Sequence, residues 1–267
     1  MRCSSIFFYH TFHQKRIIHN MQRFGYHHAD LEGVCFGITC IALIAVLGNR
    51  ILWFSHLMQT LSRSKLKMIT REEKKCLDAI EMLQNPWQFS KIFNPREKNI
   101  SYRTIPQDVN QIAHIKLPHP FKKNNKIVCI GKDFKKFTVT ELTQHLKIMR
   151  EKADRFPNKF VFLFFDIQHV ILISYDHRTK RWMHIDANHL PIRFYKNDED
   201  TAISIFSAFH CHLSLPKEFL IATHTTKRNT LFALCNHFKK KNSETAEFIN
   251  ESYRAYANSR LDGNFHQ

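Results

Sequence analysis

The chain has 267 residues, of which 43% are hydrophobic and 13% aromatic, and this composition excludes a disordered protein. Its formal net charge is +17, with 40 Lys and Arg against 23 Asp and Glu. The seven Cys have scattered spacings and no CxxC pair, which argues against a disulfide framework and a Cys-rich zinc site. We therefore expect reduced thiols and predict neither a metal nor a cofactor.

The basic residues form short clusters, at residues 63–75, 116–136, 147–159 and 239–241, and do not form one continuous stripe. Such a distribution is typical of a solvated surface, and its net charge favours an anionic membrane surface or acidic partners. No recognition helix, aromatic RNA-binding pattern or basic arm is found, so nucleic acid is not favoured as a partner.

The chain is expected to comprise one main domain with a short segment at each end. Residues 1–24 are basic and aromatic without a secretory signal sequence, and they are interpreted as an N-terminal extension. Residues 25–240 are assigned to the domain. Residues 241–267 are expected to contain an acidic amphipathic helix, at 243–258, followed by a mobile polar tail.

The segment GVCFGIT at residues 33–39 places a cysteine between two glycines, at the start of an apolar run that extends to Leu47. Glycines permit a sharp turn and the approach of a substrate chain, and the free N–H groups of a helix start stabilise a thiolate. Cys35 is therefore predicted to be an exposed nucleophile at the start of a buried helix. The alternatives are a buried structural cysteine or a membrane span, for which roughly 18 to 20 apolar residues are needed.

The next part of the chain predicts helices and then loops. Residues 53–61 either extend the first helix or form a second one. Thr70 is predicted to cap a helix that runs to about Leu83. Residues 87–137 are rich in Lys, Asn and Pro, and they are expected to form loops over the core with one short strand at 126–130.

The second half begins with a helix and continues as strands. Thr138 and Glu141 have the spacing of a capping box, which predicts a helix that ends at residues 156–157. Apolar or β-branched runs separated by Asp-containing turns predict an antiparallel meander. The predicted strands are 159–165, 169–175 and 182–186, followed by a strand at 190–195, a helix at 199–212 and a strand at 218–223. Helices followed by a sheet indicate an α+β fold.

His169 and Asp186 are predicted to be partners on adjacent strands. They are equidistant from a turn centred between His177 and Arg178, so a simple hairpin would place them directly opposite each other. Their Cβ atoms would then be about 4.5 to 5.5 Å apart. A carboxylate at that distance holds an imidazole in one tautomer and stabilises its cation. A one-residue bulge would move the two side chains to opposite faces.

Three segments together resemble the YopT-type branch of papain-like cysteine proteases, found among effectors that bacteria inject into host cells. They are GVCFGIT at residues 33–39, HVILI at 169–173 and WMHIDAN at 182–188. In that family the cysteine opens the central helix, the histidine opens a strand and the aspartate ends the next strand. The resemblance covers these segments and their order, and residues 50–158 lie outside it.

The resemblance implies a papain-like α+β fold, with a central buried helix that carries Cys35 packed on an antiparallel sheet. It implies that Cys35 is the nucleophile, His169 the general base and then acid, and Asp186 the residue that orients His169. The backbone N–H of Cys35 would form half of the oxyanion hole.

The second oxyanion donor departs from the family pattern. Papain-like enzymes use a side-chain amide about six residues before the cysteine, and this chain has Ala29 there. His28 is the candidate donor in its place. Asn188 is a second candidate for orienting the histidine.

The resulting hypothesis is a thiol protease that enters a host cell's cytoplasm without a signal peptide and acts on a host protein. A transglutaminase, deamidase or acyltransferase would use the same acyl-thioenzyme and a different acceptor. The alternative from another class is an inactive protein of the same fold, serving as a basic module that binds a membrane or RNA.

Overall fold

The computed structural model describes residues 14–26, 33–64, 66–84, 127–155, 159–166 and 168–226. Within these ranges the chain forms helices and one sheet. The helices are α1 Gln14–Arg23, α2 Cys35–Leu47, α3 Ile51–Leu61, α4 Arg71–Gln84, α5 Val139–Arg155 and α6 Asp198–Ala208. The strands are β1 Ile127–Phe137, β2 Val161–Phe165, β3 Val170–Asp176, β4 Arg181–Asp186, β5 Arg193–Tyr195 and β6 Lys217–Thr226.

The sheet has six strands in the order β1-β6-β2-β3-β4-β5, and all neighbouring strands are antiparallel. The predicted meander is present as β2, β3 and β4. β6, the last described strand in the chain, lies between β1 and β2, so the first and last described strands pair with each other. The α+β class predicted from the sequence is confirmed.

Helices cover both faces of the sheet because side chains alternate along each strand. On β3, Val170 and Leu172 pack into the core formed with α1 to α4. Ile171 and Ile173 point to the other face and pack with α5 and α6. The sheet therefore lies between two hydrophobic layers.

Helix α2 is the centre of the first layer. Twelve of its thirteen residues are buried, in agreement with its uninterrupted apolar sequence. Asn49 has a φ of 56°, which is incompatible with a right-handed helix, so α2 ends before it and α3 is a separate helix. None of the helices within the described ranges is long and apolar enough to span a membrane.

The predicted cap at Thr70 and the predicted capping box at Thr138 are both present, and each acts through reciprocal hydrogen bonds. At α4, the backbone N–H of Thr70 donates to Glu73, and the N–H of Glu73 donates to the Thr70 hydroxyl. Thr138 and Glu141 make the same pair of bonds at the start of α5. These helix starts are determined by residues three positions apart, which is why the sequence predicts them well.

Helix α1 was not predicted, and it lies within residues 1–24, the range interpreted above as an extension. Ile17 and Met21 are fully buried in the same core as α2. The Asn20 side chain donates to the carbonyls of Leu61 and Arg63, at 2.8 and 3.0 Å. These contacts join α1 to the end of α3.

Other boundaries differ from the prediction because distant pairing determines them. β1 runs to Phe137, well beyond the expected residue 130, since it pairs with β6 from Ile127 to Phe137. α6 ends at Ala208, four residues before the expected end. The loops expected from residue 87 lie outside the described residues as far as position 126, as does the C-terminal helix expected at 243–258.

Two histidines are buried in the sheet without charge. His184 in β4 donates from Nδ1 to Ser204 of α6, and its Nε2 has no partner among the described residues. Burial lowers the pKa of His184 to about 4, and burial also lowers the pKa of His224 in β6 to about 4. Both groups are therefore neutral imidazoles in the folded protein near neutral pH.

Gly37 lies where α2 crosses α4, and a Cβ at this position would overlap the backbone carbonyl oxygen of Ile80. The packing of α2 against α4 therefore requires this glycine. We expect Gly37→Ala to lower the free energy of unfolding by about 1–3 kcal/mol, the usual cost of overpacking. Helix propensity alone would raise the free energy of unfolding by about 1 kcal/mol. The sign of the change measured by urea unfolding therefore shows whether overpacking or helix propensity dominates. An increase in stability would contradict this packing.

The buried histidines predict a loss of stability in acid. Unfolded histidine titrates near 6.5, above the value of about 4 in the fold, so the unfolded state binds the proton first as pH falls. The neutral His184 costs the fold no stability above pH 6.5, and the free energy of unfolding falls by on the order of 3 kcal/mol as pH drops to about 4. We expect His184→Gln to make the fall in unfolding free energy shallower. The exposed-residue control His56→Gln should leave it unchanged, and equal falls in wild type and His184→Gln would contradict the prediction.

Candidate active site

Cys35 is the first residue of α2, and hydrogen bonds fix the backbone around it. Gly33 has φ 133°, a conformation that favours glycine. The N–H of Val34 donates to Gln14 Oε1 at 2.8 Å, and the N–H of Gly37 donates to Gln84 Oε1 at 3.0 Å. None of the described residues accepts a hydrogen bond from the N–H of Cys35.

The Cys35 residue is 9% exposed, so the prediction of an openly exposed thiol is wrong. It begins a helix that is buried on all sides, and the His169 side chain beside it is equally enclosed at 9% exposure. The thiol therefore lies in a largely desolvated environment, where electrostatic interactions are stronger than in water.

His169 lies immediately before β3, and Asp166 fixes its backbone. Asp166 Oδ1 accepts hydrogen bonds from the backbone N–H groups of Gln168 and His169, at 2.8 and 2.7 Å. Its other oxygen pairs with Lys217 at 3.2 Å. The turn between β2 and β3 is thereby tied to the start of β6, which limits movement of the His169 main chain.

His169 Nε2 donates to Asp186 Oδ1 at 2.9 Å, although the two residues are not directly opposite each other. In the observed register Ile171 faces Asp186, because Asp176 pairs with Arg181 across a four-residue turn. The predicted register was wrong by two positions. An even shift keeps both side chains on one face of the sheet, so the diagonal contact can still form.

The Cys35 thiol also interacts with the His169 imidazole, and this interaction is one of the causes that raise the pKa of His169. Since Nε2 is bonded to Asp186, Nδ1 is the ring nitrogen left to exchange a proton with the thiol. Burial acts to lower the pKa of His169, but the hydrogen bonds to Asp186 and Cys35 outweigh it and raise the pKa to about 10. A thiol, an imidazole and a carboxylate are therefore joined in series.

Asp186 is buried, and its carboxylate carries a negative charge beside His169. Burial acts to raise its pKa, but the hydrogen bonds from His169, from His189 and from the backbone N–H of Asn188 keep that pKa well below its usual range. His189 Nδ1 lies 2.7 Å from Asp186 Oδ2, so each carboxylate oxygen meets one imidazole. The Asp186 carboxylate is consequently ionised at all pH values near neutrality.

The two further candidates have different outcomes. His28 lies outside the described residues. Asn188 is beside the site, where its backbone N–H donates to Asp186 Oδ1 at 2.8 Å and its side-chain oxygen accepts from Gln14 Nε2 at 2.5 Å. Asp186 is the residue that accepts from His169, so the orienting position is occupied by the aspartate.

Three residues at the site were missed from the sequence. Gln14 bonds to the start of α2, His189 bonds to Asp186, and the ring of Phe209 meets His169 edge-on with 5.6 Å between ring centroids. His189 follows Asp186 by three residues and could have been found as a turn partner. Gln14 and Phe209 are distant in sequence and carry no local signal.

Among the described residues, no group of three or more His, Cys, Asp or Glu is arranged to hold a metal ion. Near Cys35, the His169 imidazole and the Asp186 carboxylate are hydrogen-bonded to each other, and the imidazole interacts with the thiol. Such a series can transfer a proton between the thiol and a leaving group, and it can stabilise an imidazolium beside a thiolate.

Comparisons with known proteins find a weak structural similarity and no matching sequence. No protein-family model and no curated protein sequence matches the chain. Among solved structures, the avirulence protein AvrPphB of Pseudomonas matches with a TM-score of 0.35 and 10% identity, over 70% of this chain and 90% of that one. A TM-score this low does not establish a common fold, so the interpretation of the site depends on its own geometry.

Proposed function

We propose that the chain is a papain-like cysteine protease, a thiol hydrolase whose triad is Cys35, His169 and Asp186. The observation that carries this proposal is the 2.9 Å hydrogen bond from His169 Nε2 to Asp186 Oδ1, on an imidazole that also interacts with the Cys35 thiol. Triads are recognised by such geometry and by the roles it permits.

In the proposed reaction, His169 holds the proton of the Cys35 thiol, and the thiolate sulfur attacks the carbonyl carbon of a peptide bond. The backbone N–H of Cys35 donates to the developing oxyanion. His169 then gives its proton to the leaving amine, which leaves an acyl-thioenzyme. A water molecule attacks that acyl group after giving a proton to His169, and the proton returns to the thiol when the acid product departs.

Asp186 has two roles in this reaction. It keeps Nε2 of His169 protonated, so that Nδ1 is the nitrogen that exchanges a proton with Cys35, and it stabilises the imidazolium. The raised pKa of His169, about 10, fits the second role.

The energetic cost of the arrangement supports a catalytic use. A buried carboxylate costs several kcal/mol unless it is paired, and apolar residues would fill the same space at lower cost. Charged groups that are enclosed next to a nucleophile are typical of active sites. The alternative, an inactive basic binding module, would not need a thiol next to the His169–Asp186 pair.

The substrate class and location are further parts of the proposal, and they depend on the sequence resemblance alone. We propose a host-cell protein as substrate and the host cytoplasm as the place of action. The net charge of +17 supports an approach to anionic membrane surfaces.

Incubation of the full chain with a proteome-derived peptide library, followed by mass spectrometry of the products, tests this function. We expect wild type to generate new peptide ends and Cys35→Ala to generate none. Asp186→Ala should lower the rate by on the order of 10²- to 10⁴-fold, because His169 loses its orientation and stabilised charge. Cys129→Ala, which removes a thiol from β1, should cleave as wild type does.

Peptide ends that persist in Cys35→Ala would show a contaminating protease or a different nucleophile. Absence of cleavage by wild type, together with no difference in reactivity between Cys35 and the other cysteines, would contradict the proposed function.

A further inference from the structure

Gln14, the first residue of α1, bridges the two halves of the candidate site. Its side-chain oxygen Oε1 accepts from the N–H of Val34 at 2.8 Å, and its Nε2 donates to Asn188 Oδ1 at 2.5 Å. Its backbone N–H donates to the carbonyl of Ala187 at 2.9 Å. The residue is 8% exposed, so water competes little for these bonds.

Each end of this bridge lies next to a member of the triad. Val34 immediately precedes Cys35. Asn188 follows Asp186 by two residues, and its backbone N–H donates to the Asp186 carboxylate at 2.8 Å. A single amide thus connects the start of the nucleophile's helix with the turn behind the acid, two segments about 150 positions apart in the chain.

Gly33 gives independent evidence that the Gln14 side-chain amide packs against the backbone at the start of α2. A Cβ at Gly33 would lie 3.1 and 3.2 Å from Oε1 and Nε2 of Gln14, tighter than most Cβ contacts in proteins. The φ of 133° at Gly33 is also unfavourable for any residue with a side chain. The backbone before Cys35 is therefore shaped to receive the Gln14 side chain.

We propose that Gln14 is a positioning residue, whose amide holds the Cys35 helix and the Asp186 turn at the separation at which His169 can contact both. This inference depends on the proposed function. Its physical basis is that a misplacement of about 1 Å between reacting groups can lower a rate by on the order of 10²-fold.

Alkylation of Cys35 by iodoacetamide tests this role, because the reaction depends on the thiolate beside His169 and forms no oxyanion. The rate is measured by peptide mapping from pH 5 to 9, for wild type, Gln14→Ala, Asn188→Ala and the double variant. We expect each single variant to slow alkylation at pH 6 by on the order of 10-fold. The double variant should be no slower than the slower single variant, because both remove one bridge.

Asn20→Ala is the matched control, since Asn20 is a buried amide in the same helix but bonds to Leu61 and Arg63. It should lower the free energy of unfolding and leave the alkylation of Cys35 unchanged. If Gln14→Ala does not fold, Asn188→Ala carries the test, because Asn188 is only half-buried and lies in a turn.

The outcomes separate this inference from the proposed function. If His169→Ala slows alkylation but Gln14→Ala and Asn188→Ala leave its rate and pH profile unchanged, the positioning role is wrong and the protease proposal stands. If His169→Ala also has no effect, both are overturned. Equal slowing by Asn20→Ala would show that general stability, not the bridge, controls the thiol.

Discussion

The buried carboxylate of Asp186 is the charge on which the geometry of the site depends. Removing an isolated carboxylate from water costs several kcal/mol, and here His169, His189 and one backbone N–H offset that cost. These donors come from the start of β3 and from the turn after β4. Because the carboxylate is stable only with its donors in place, the same hydrogen bonds that compensate its burial also fix the direction of the His169 imidazole. The Cys35 thiol interacts with the same ring.

The scaffold makes this alignment possible because it is packed on both faces of the sheet. Helix α2 is buried along its length, and Gly37 allows it to approach α4 closely. The His169 turn is held by Asp166 and Lys217, and the Asp186 turn is held by α1. Each residue of the proposed triad thus lies at the end of a rigid element, and the short connections next to it are hydrogen-bonded to a second element. Such support is what a preorganised site requires.

Local features were predicted well from the sequence, whereas features that depend on distant partners were not. The Thr70 and Thr138 caps and the meander follow from residues a few positions apart. The predicted pairing of His169 with Asp186 was wrong because the turn after Asp176 is centred one residue later than assumed. Both side chains still lie on the same face of the sheet because the resulting shift in register is two residues. Gln14 could not be found, since its partner Asn188 is 174 positions away. The glycine at 37 was noticed, but its role in packing against Ile80 needs a contact that no local pattern shows.

The protonation state of His169 tests the central claim most directly, because it reports the carboxylate, the imidazole and the thiol together. Its ring signals can be followed by NMR from pH 5 to 11 in wild type, Cys35→Ala and Asp186→Ala. The hydrogen-bonded series predicts that wild-type His169 remains protonated at pH 8 and titrates near 10. Cys35→Ala should titrate at lower pH than wild type, and Asp186→Ala lower still, because burial then acts without the carboxylate. A wild-type His169 that titrates near 6.5 and is insensitive to both substitutions would contradict the account.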